Sequence, residues 1–255
     1  MNDGRVRLVR GAKENNSRPA IDPLFRTAAR AYGSRLVGIV LSGSLDDGTA
    51  GLLAVKKRGG ITVVQEPSDA MYPDMPRNAM EAVPVDYCVS RRDIAPLFVR
   101  ICKEPARKIA APVSDSMEKE TQIEALDMST IEDERKPGTP SVFGCPECGG
   151  TLWELQDGEL LRFRCRVGHA YGADGLYEAQ SEGLDKALWS AFRALNENAA
   201  LARRLASRAR KNKRDPAAES FEQRAQAAEE QARLIHDLLL SGKISGAAEE
   251  APEDR

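Results

Sequence analysis

The chain has 255 residues, a length that allows one or two domains. Of these residues, 42% are apolar and 30% are charged, an ordinary balance for a chain that folds. A net charge of -2 indicates neither a nucleic-acid nor a membrane partner. No apolar run approaches eighteen residues and no apolar segment follows Met1, so secretion and membrane insertion are not expected and a cytoplasmic location is the default.

Residues 1–102 alternate between short β-branched runs and helical patterns, which predicts a βαβ succession and a largely parallel sheet covered by helices. The predicted strands are 5–9, 36–42, 61–65 and 85–89. The predicted helices are 22–32, 48–58, 76–82 and 92–102, with Asp22 as the cap of the first and Pro23 in its first turn. Cys88 and Cys102 lie in apolar runs and are interpreted as buried core thiols.

A glycine-rich loop with Asp46 and Asp47 follows the predicted strand 36–42 and opens the next helix. Ligands and catalytic groups of open parallel sheets lie at such strand ends. The plain alternative is that one of the two aspartates caps the helix that begins near Gly48. The glycine spacing matches neither a dinucleotide-binding loop nor a P-loop, which disfavours a nucleotide site.

Residues 103–142 are rich in proline, serine and acidic residues and poor in aromatic ones, which predicts a disordered linker. A short helix in 121–128 is an alternative that would need a docking partner.

Residues 143–172 contain two pairs of metal-binding side chains, CPECGG at 145–150 and CRVGH at 165–169. The segment between the pairs reads as two strands joined by a turn at Asp157 and Gly158, and this hairpin would bring the pairs together. We therefore predict a zinc ribbon with the four ligands Cys145, Cys148, Cys165 and His169. Four protein ligands leave no open position, so the predicted zinc is structural. A CxxC redox pair or free thiols are the alternatives, and neither requires the third cysteine and the histidine.

The segment 173–241 is rich in alanine, leucine, glutamate and arginine at helical spacing and is broken at Asp215 and Pro216, which predicts a helical hairpin. His236 is interpreted as a surface or packing residue. The basic run 203–214 could bind nucleic acid, but no aromatic side chains interleave it, so a solvated helix face is favoured. The acidic residues 242–255 are predicted to be a disordered tail.

Four stretches resemble a known family in order and in spacing: RPAID at 18–22, LSGSLDDGTAGL at 41–52, QEPSDAMYPDMPRNAM at 65–80, and the last predicted strand and helix. They are similar to the C-terminal two thirds of the CheB-type protein-glutamate methylesterase domain. The resemblance implies an α/β fold with a partial doubly wound parallel sheet, followed here by the zinc ribbon and the α-helical hairpin. The phrases at 145–171 and 182–205 resemble an extension that follows such domains in some bacterial proteins.

The resembling family cleaves methyl esters of glutamate side chains on chemoreceptors with a Ser-His-Asp triad. By position, Asp47 matches the aspartate of the triad, which orients the histidine. Gly43 and Ser44, with Met75 and Pro76, match loops near the family's active site. Two departures are that Gly-Met-Gly is replaced by Gly43, Ser44 and Leu45, and that Asp74 stands in place of a glycine.

The family's serine and histidine lie in a part of its domain that has no counterpart in these residues, and the two histidines here are His169 and His236. Loss of either partner removes nearly the whole effect of a triad. We therefore expect no methylesterase activity from this polypeptide alone, although the family is enzymatic. A chemoreceptor or another methylated signalling protein is the expected partner. The alternatives are a non-catalytic zinc-ribbon adaptor for a signalling partner, and a homo-oligomer that covers an open sheet edge.

Overall fold

The computed structural model describes residues 6, 8–106, 112–113, 115–124 and 138–241. Two compact units divide the chain, Met1–Tyr177 and Glu178–Arg255. The predicted tail at 242–255 lies outside the described residues.

Three parallel strands form the centre of the N-terminal segment, in the order β1-β2-β3. The strands are β1 (Val37–Val40), β2 (Ile61–Gln65) and β3 (Tyr87–Val89). The helices are α1 (Ile21–Tyr32), α2 (Thr49–Lys57), α3 (Asp74–Ala82) and α4 (Arg91–Ile101). The predicted α/β class is confirmed, and these elements agree with the predicted ones within a few residues at each end.

Helices cover both faces of this sheet because successive strand residues point to opposite sides. Val40 and Val64 pack with Leu52 of α2 and Met75 of α3. Val63, on the other face, packs with Leu97 and Ile101 of α4. Helix α1 packs mainly against α2, where Gly51 lies so close to α1 that a Cβ atom there would be 3.0 Å from Asp22 Cα.

Three predictions for this segment are wrong. No strand forms at Val6, Leu8 or Val9, whose side chains are exposed, so no neighbouring strand buries them among the described residues. Asp22 does not cap α1, since the helix begins one residue earlier and the cap position is Ala20. Cys102 is exposed at the end of α4, and Cys88 is only partly buried beside the Glu66 carboxylate.

The prediction of a disordered linker is wrong for helix α5 (Asp115–Glu124). Met117 joins the apolar cluster between α1 and α2, and the Glu120 carboxylate is buried against arginines of other elements. The docking partner that a short helix needs is therefore present. The sequence did not show it because the arginines are distant in the chain.

Four antiparallel strands form the second sheet of the first unit, in the order β4-β5-β6-β7. They are β4 (Thr139–Gly144), β5 (Thr151–Asp157), β6 (Leu160–Cys165) and β7 (Ala170–Gly172). The predicted hairpin of two strands is β5–β6, in which Asp157 pairs with Leu160 and Gly158 takes a positive φ of 73°.

Helices α6 (Ala173–Lys211) and α7 (Asp215–Leu240) form the predicted hairpin. In the second unit both helices bury alanines, including Ala202, Ala206, Ala225 and Ala228. The partly exposed ion pairs Arg203–Glu229 and Arg210–Glu222 bridge the two antiparallel helices and engage two side chains of the basic run. Within the described residues, no helix is both long enough and apolar enough to cross a membrane.

Candidate functional site

The loop after β1 and the start of α3 form one tight contact. The Met75 N–H donates to the Gly43 carbonyl and the Gly43 N–H donates to the Tyr72 carbonyl, each at 3.0 Å. A methyl group at Gly43 would overlap the Met75 side chain. Met75 and Pro76 are buried, whereas Ser44 is exposed. The sequence placed these residues in two separate loops, and the fold brings the loops together.

Leu45 takes a left-handed backbone conformation, with φ 62°. The amide of Asn78 donates to its carbonyl at 2.9 Å and fastens the loop to α3. A side chain in this conformation is strained, by about 1–3 kcal/mol. The resembling family has glycine at this position, which the backbone geometry explains.

The Asp47 carboxylate lies at the N-terminus of α1. Its Oδ2 accepts a hydrogen bond from the Ile21 N–H at 2.8 Å, and its Oδ1 accepts from the Asp22 N–H and from the Asn15 amide, both at 3.2 Å. A carboxylate in this place satisfies helix N–H groups that have no partner within the helix. Asp47 therefore caps α1, and not the helix that follows it in the chain, whose cap is Gly48.

Asp22 completes an exchange between the two helices. Its Oδ1 accepts from the Gly51 N–H in the first turn of α2 at 2.6 Å, and its Oδ2 accepts from the Asn15 amide at 2.8 Å. Burial raises the pKa of Asp22 to about 6, with the carboxylates of Asp47 and Glu14 acting in the same direction. Asp47, which precedes α2, thus binds the start of α1, and Asp22, in the first turn of α1, binds the start of α2.

Asp46 is the buried carboxyl group of the loop. It is 8% exposed, and no donor among the described residues reaches its Oδ1. Burial raises its pKa to about 7, and the neighbouring Asp22 and Asp174 add to the rise. A methyl group at Gly172 would overlap the Asp46 carboxyl group, so β7 passes directly against this side chain.

Neither histidine contacts Asp47. His169 lies beside the cysteines, and His236 packs against the ring of Phe192 in the second unit, with ring centroids 5.5 Å apart. The donors to Asp47 that the structure describes are therefore two backbone N–H groups and the Asn15 amide.

The four predicted metal ligands converge at one end of the antiparallel sheet. The ligand atoms of Cys145, Cys148, Cys165 and His169 all lie within 4.8 Å of one another. Cys145 and Cys165 are buried, His169 is partly buried and Cys148 is exposed. The Cys145 N–H donates to the Gly150 carbonyl at 2.7 Å and the Cys165 N–H donates to the His169 carbonyl at 2.9 Å, so each pair closes its own turn.

Three of the distances between these atoms match those of a tetrahedral ion. Bond lengths of about 2.3 Å to sulfur and about 2.0 Å to nitrogen place tetrahedral ligands about 3.8 Å apart for two sulfurs and about 3.5 Å apart for sulfur and nitrogen. Cys148 Sγ and Cys165 Sγ are 3.7 Å apart, and His169 Nδ1 is 3.5 Å from Cys165 Sγ and 3.7 Å from Cys145 Sγ. The Tyr171 hydroxyl lies 3.7 Å from Cys145 Sγ. This Cys/His cluster could therefore hold a metal ion.

Local electrostatics favour the ligand forms of two of these side chains. Burial raises the pKa of Cys148, but the Gly150 N–H and the adjacent thiols outweigh it, so the pKa lies below its usual value. Burial lowers the pKa of His169, which favours the neutral imidazole that binds metals.

A buried ionic group connects the antiparallel sheet to α1 and α5 and was not predicted from the sequence. The Glu120 carboxylate accepts from Arg162 at 2.8 and 3.0 Å and from Arg164 at 3.2 Å, and Glu14 accepts from Arg26 at 3.1 Å and from Arg164 at 2.7 Å. All five side chains are buried. Burial raises the pKa of Glu120, but the charges of Arg162, Arg26 and Arg164 outweigh burial and hold this pKa well below its usual value. One sequence signal for this group was the pair Arg162 and Arg164, which are two residues apart on β6 and therefore lie on the same face of the strand.

A protein-family model described as CheB methylesterase matches residues 2–98. A protein of Leptospira interrogans serogroup Icterohaemorrhagiae, provisionally named a protein-glutamate methylesterase/protein-glutamine glutaminase, is 47% identical over 91 residues, which are 36% of this chain and 47% of that protein. The protein-glutamate methylesterase/protein-glutamine glutaminase of Pyrococcus abyssi is 40% identical over 95 residues, 37% of this chain and 26% of that protein.

Among solved structures, the crystal structure of Thermotoga maritima CheB methylesterase catalytic domain matches with a TM-score of 0.34 and 30% identity, covering 34% of this chain and 46% of that chain. The chain thus spans about half the length, or less, of the relatives it matches. The family model ends before α5 and the Cys/His cluster, so the predicted resemblance of the C-terminal part stays a prediction.

Proposed function

Because residues 2–98 match the family model described as CheB methylesterase, we propose that the chain acts in chemotaxis-type signalling as a relative of the protein-glutamate methylesterases. Its partner would be a chemoreceptor or another protein that carries glutamyl methyl esters. Asp47 would be the counterpart of the triad acid. Gly43 and Met75, which contact each other, would line the corresponding site.

In this proposal the chain by itself hydrolyses no ester. The surroundings of Asp47 support this, since its carboxylate accepts from Ile21, Asp22 and Asn15 and from no imidazole. A triad acid acts by holding a histidine in the correct orientation and charge state. With both histidines of the chain engaged elsewhere, Asp47 serves here as a helix cap.

The assay is release of methanol from a methylated receptor peptide, with ammonia release from its glutamine form measured in parallel. The Thermotoga maritima CheB methylesterase catalytic domain is the positive control. We expect no turnover from this chain above that of its Asp47→Asn variant. Methanol release that the wild-type chain shows and Asp47→Asn lacks would contradict the proposal.

We further propose that the Cys/His cluster binds one zinc ion in a structural role. The match between its distances and a tetrahedral site supports zinc, and the full set of four protein ligands leaves no position for a substrate. The bound ion would supply a crosslink between the two turns of the sheet.

Metal analysis of the purified chain should give one zinc per polypeptide, and Co²⁺ should give the intense visible absorption of a tetrahedral thiolate site. Cys148→Ser should lose the ion. Cys102→Ser, at a thiol outside the cluster, should retain it. A chain that binds zinc equally well after the Cys148 change would refute the assignment.

An adaptor function is the second candidate, and the surface of the helical hairpin supports it. Leu201, Trp189 and Leu234 are large apolar side chains with 57%, 48% and 71% of their surface exposed. Large apolar side chains exposed on one element are candidates for contacts with a partner protein. Calorimetric titration with a receptor signalling fragment should detect binding that Leu234→Glu weakens, whereas an unchanged affinity would argue against the hairpin as the contact.

A further inference from the structure

The Asn15 side chain contacts the Asp47 loop, the start of α1 and strand β7 at once. It is 7% exposed and takes a left-handed backbone conformation with φ 48°. Asparagine is one of the few residues other than glycine that tolerate this conformation. Both the backbone conformation and the side-chain hydrogen bonds at this position therefore suit an asparagine.

Two contacts tie Asn15 to the metal-binding turn. Strand β7 begins at Ala170, directly after the ligand His169, and the Asn15 N–H donates to the Ala170 carbonyl at 2.8 Å. The Gly172 N–H, at the other end of the strand, donates to Asn15 Oδ1 at 3.1 Å. The His169 carbonyl accepts from the ligand Cys165, so β7 is a direct continuation of the turn that carries two ligands.

The other end of the Asn15 side chain contacts the two aspartates. Its amide nitrogen donates to Asp22 Oδ2 at 2.8 Å and to Asp47 Oδ1 at 3.2 Å. A single amide group thus accepts from β7 with its oxygen and donates to both capping carboxylates with its nitrogen.

The neighbouring Glu14 fixes the same stretch of chain. Its carboxylate is buried and accepts from Arg164 on β6 and from Arg26 on α1, and its backbone forms a bridge with Ala170. Buried charge pairs with several hydrogen bonds allow little adjustment. A shift of β6 and β7 at the metal-binding turn would therefore move Asn15 rather than leave it in place.

We propose that Asn15 is a positioning residue that couples metal binding at the Cys/His cluster to the carboxylate of Asp47. This rests on the zinc site proposed above. With the ion bound, β7 is held in the place where Gly172 orients the Asn15 amide, and Asp47 remains on the N-terminus of α1. Without the ion, β7 loosens, and the hydrogen bonds from Ile21 and Asp22 to Asp47 open more often.

Amide hydrogen exchange of the full chain, with zinc and after chelation, tests this coupling. The reporters are the Ile21 and Asp22 amides, which donate to Asp47, and the Gly172 amide, which donates to Asn15. Val63 and Val64 in β2 report on the parallel sheet. We expect chelation to accelerate exchange at the three reporters at least about tenfold, while Val63 and Val64 change less than about twofold.

Asn15→Asp keeps the acceptor for Gly172 but replaces the donor to Asp47 with an oxygen. We expect fast exchange at Ile21 and Asp22 with zinc as well as without it, while the amides of the metal-binding turns still respond to zinc. Asn15→Gly, which tolerates the backbone conformation and lacks the amide group, should behave in the same way. Asn16→Asp is the matched control, because Asn16 also has a left-handed backbone and contacts Gly175 but not Asp47. It should retain the zinc response of the wild-type chain.

Three results would overturn the coupling. In the first, chelation leaves the exchange rates of the Ile21 and Asp22 amides unchanged while the amides of the turns around the cysteines lose protection. In the second, the zinc response at Ile21 and Asp22 survives in both Asn15 variants. In the third, chelation accelerates exchange at Val63 and Val64 as much as at the three reporters, which would indicate unfolding of the whole unit. A chain that binds neither zinc nor Co²⁺ would instead refute the proposed metal site itself.

Discussion

The two sheets of the first unit differ in how much buried charge surrounds them. The parallel sheet β1–β3 is buried by apolar side chains such as Val40, Val64 and Leu52, which come from adjacent βα units. The antiparallel sheet β4–β7 also buries apolar side chains such as Leu152 and Phe163, but it contacts the rest of the unit through buried arginines as well and ends at the Cys/His cluster. Apolar burial tolerates small losses, whereas a buried charge or a ligand set depends on each of its partners. The antiparallel sheet should therefore respond more sharply to single changes.

Metal removal should show the largest difference between the sheets. Apparent binding free energies of structural zinc are about 10–16 kcal/mol in zinc-finger peptides, which is large beside what a few buried apolar side chains such as Leu152 and Phe163 contribute. We expect a strong chelator, or Cys165→Ser, to unfold β4–β7 before β1–β3, as two separate transitions in thermal circular dichroism. Cys102→Ser should melt like the wild-type chain, and a single unchanged transition after chelation would contradict the expectation.

The buried ionic group should show the next largest effect. Glu120→Gln leaves Arg162 and Arg164 without the charge they surround, and breaking a buried ionic group from one side costs about 3–5 kcal/mol. Urea unfolding measures the free-energy change. Glu118→Gln on the same helix removes only the more exposed pair with Arg30 and should cost less than about 1 kcal/mol. Equal losses in the two variants would mean that burial does not distinguish the two glutamates.

The stability of the unit should fall as the pH rises from about 4 to above 7. Asp46 and Asp22 have pKa values of about 7 and about 6 in the fold against 3.8 unfolded, so the folded state binds protons more tightly in this range. At about 1.4 kcal/mol per pKa unit, Asp46 alone would contribute up to about 4 kcal/mol of this loss.

Asp46→Asn should flatten most of this slope and leave the smaller part that belongs to Asp22. The free energy of unfolding, measured at intervals from pH 4.5 to 9, is the observable. Below about pH 4 the opposite trend should appear, because Glu14, Glu120 and Asp157 have pKa values that the neighbouring cations lower. An unchanged slope in Asp46→Asn would show that Asp46 is ionised in the fold.

The smallest effect concerns the cap that Asp47 provides. Asp47→Ala should destabilise the unit by about 1 kcal/mol, the usual value for a lost helix cap. Asp47→Asn retains one acceptor oxygen and should lose less. Urea midpoints of the two variants make the comparison, and a gain in stability from Asp47→Ala would mean that the carboxylate is strained where it lies.

Features that depend on neighbours in the sequence were predicted well. Strands β1 to β3 and helices α1 to α4 were recognisable because their apolar residues follow the period of a strand or a helix. The convergence of the four metal ligands was predicted because each pair is closed by its own short turn. In both cases the relevant partners lie within a few residues of each other or across one hairpin.

Features that depend on distant partners were missed or misassigned. The sequence placed Asp22 at the start of its own helix, but its carboxylate binds the Gly51 N–H, and Asp47 binds the start of α1. Helix α5 was assigned to a disordered linker because its acidic composition showed no partner, while Arg162 and Arg164 lie about forty residues further along the chain.

The sequence by itself determined the parallel α/β segment, the resemblance to the methylesterase family and the four convergent ligands, because each rests on local periodicity or short spacing. Only the tertiary structure decided what Asp47 holds and how the antiparallel sheet is joined to α1 and α5. The physical reason is that a carboxylate takes whichever donor or cation the fold brings to it. Its role therefore follows from its neighbours in space, and those are Asn15, Ile21 and Asp22.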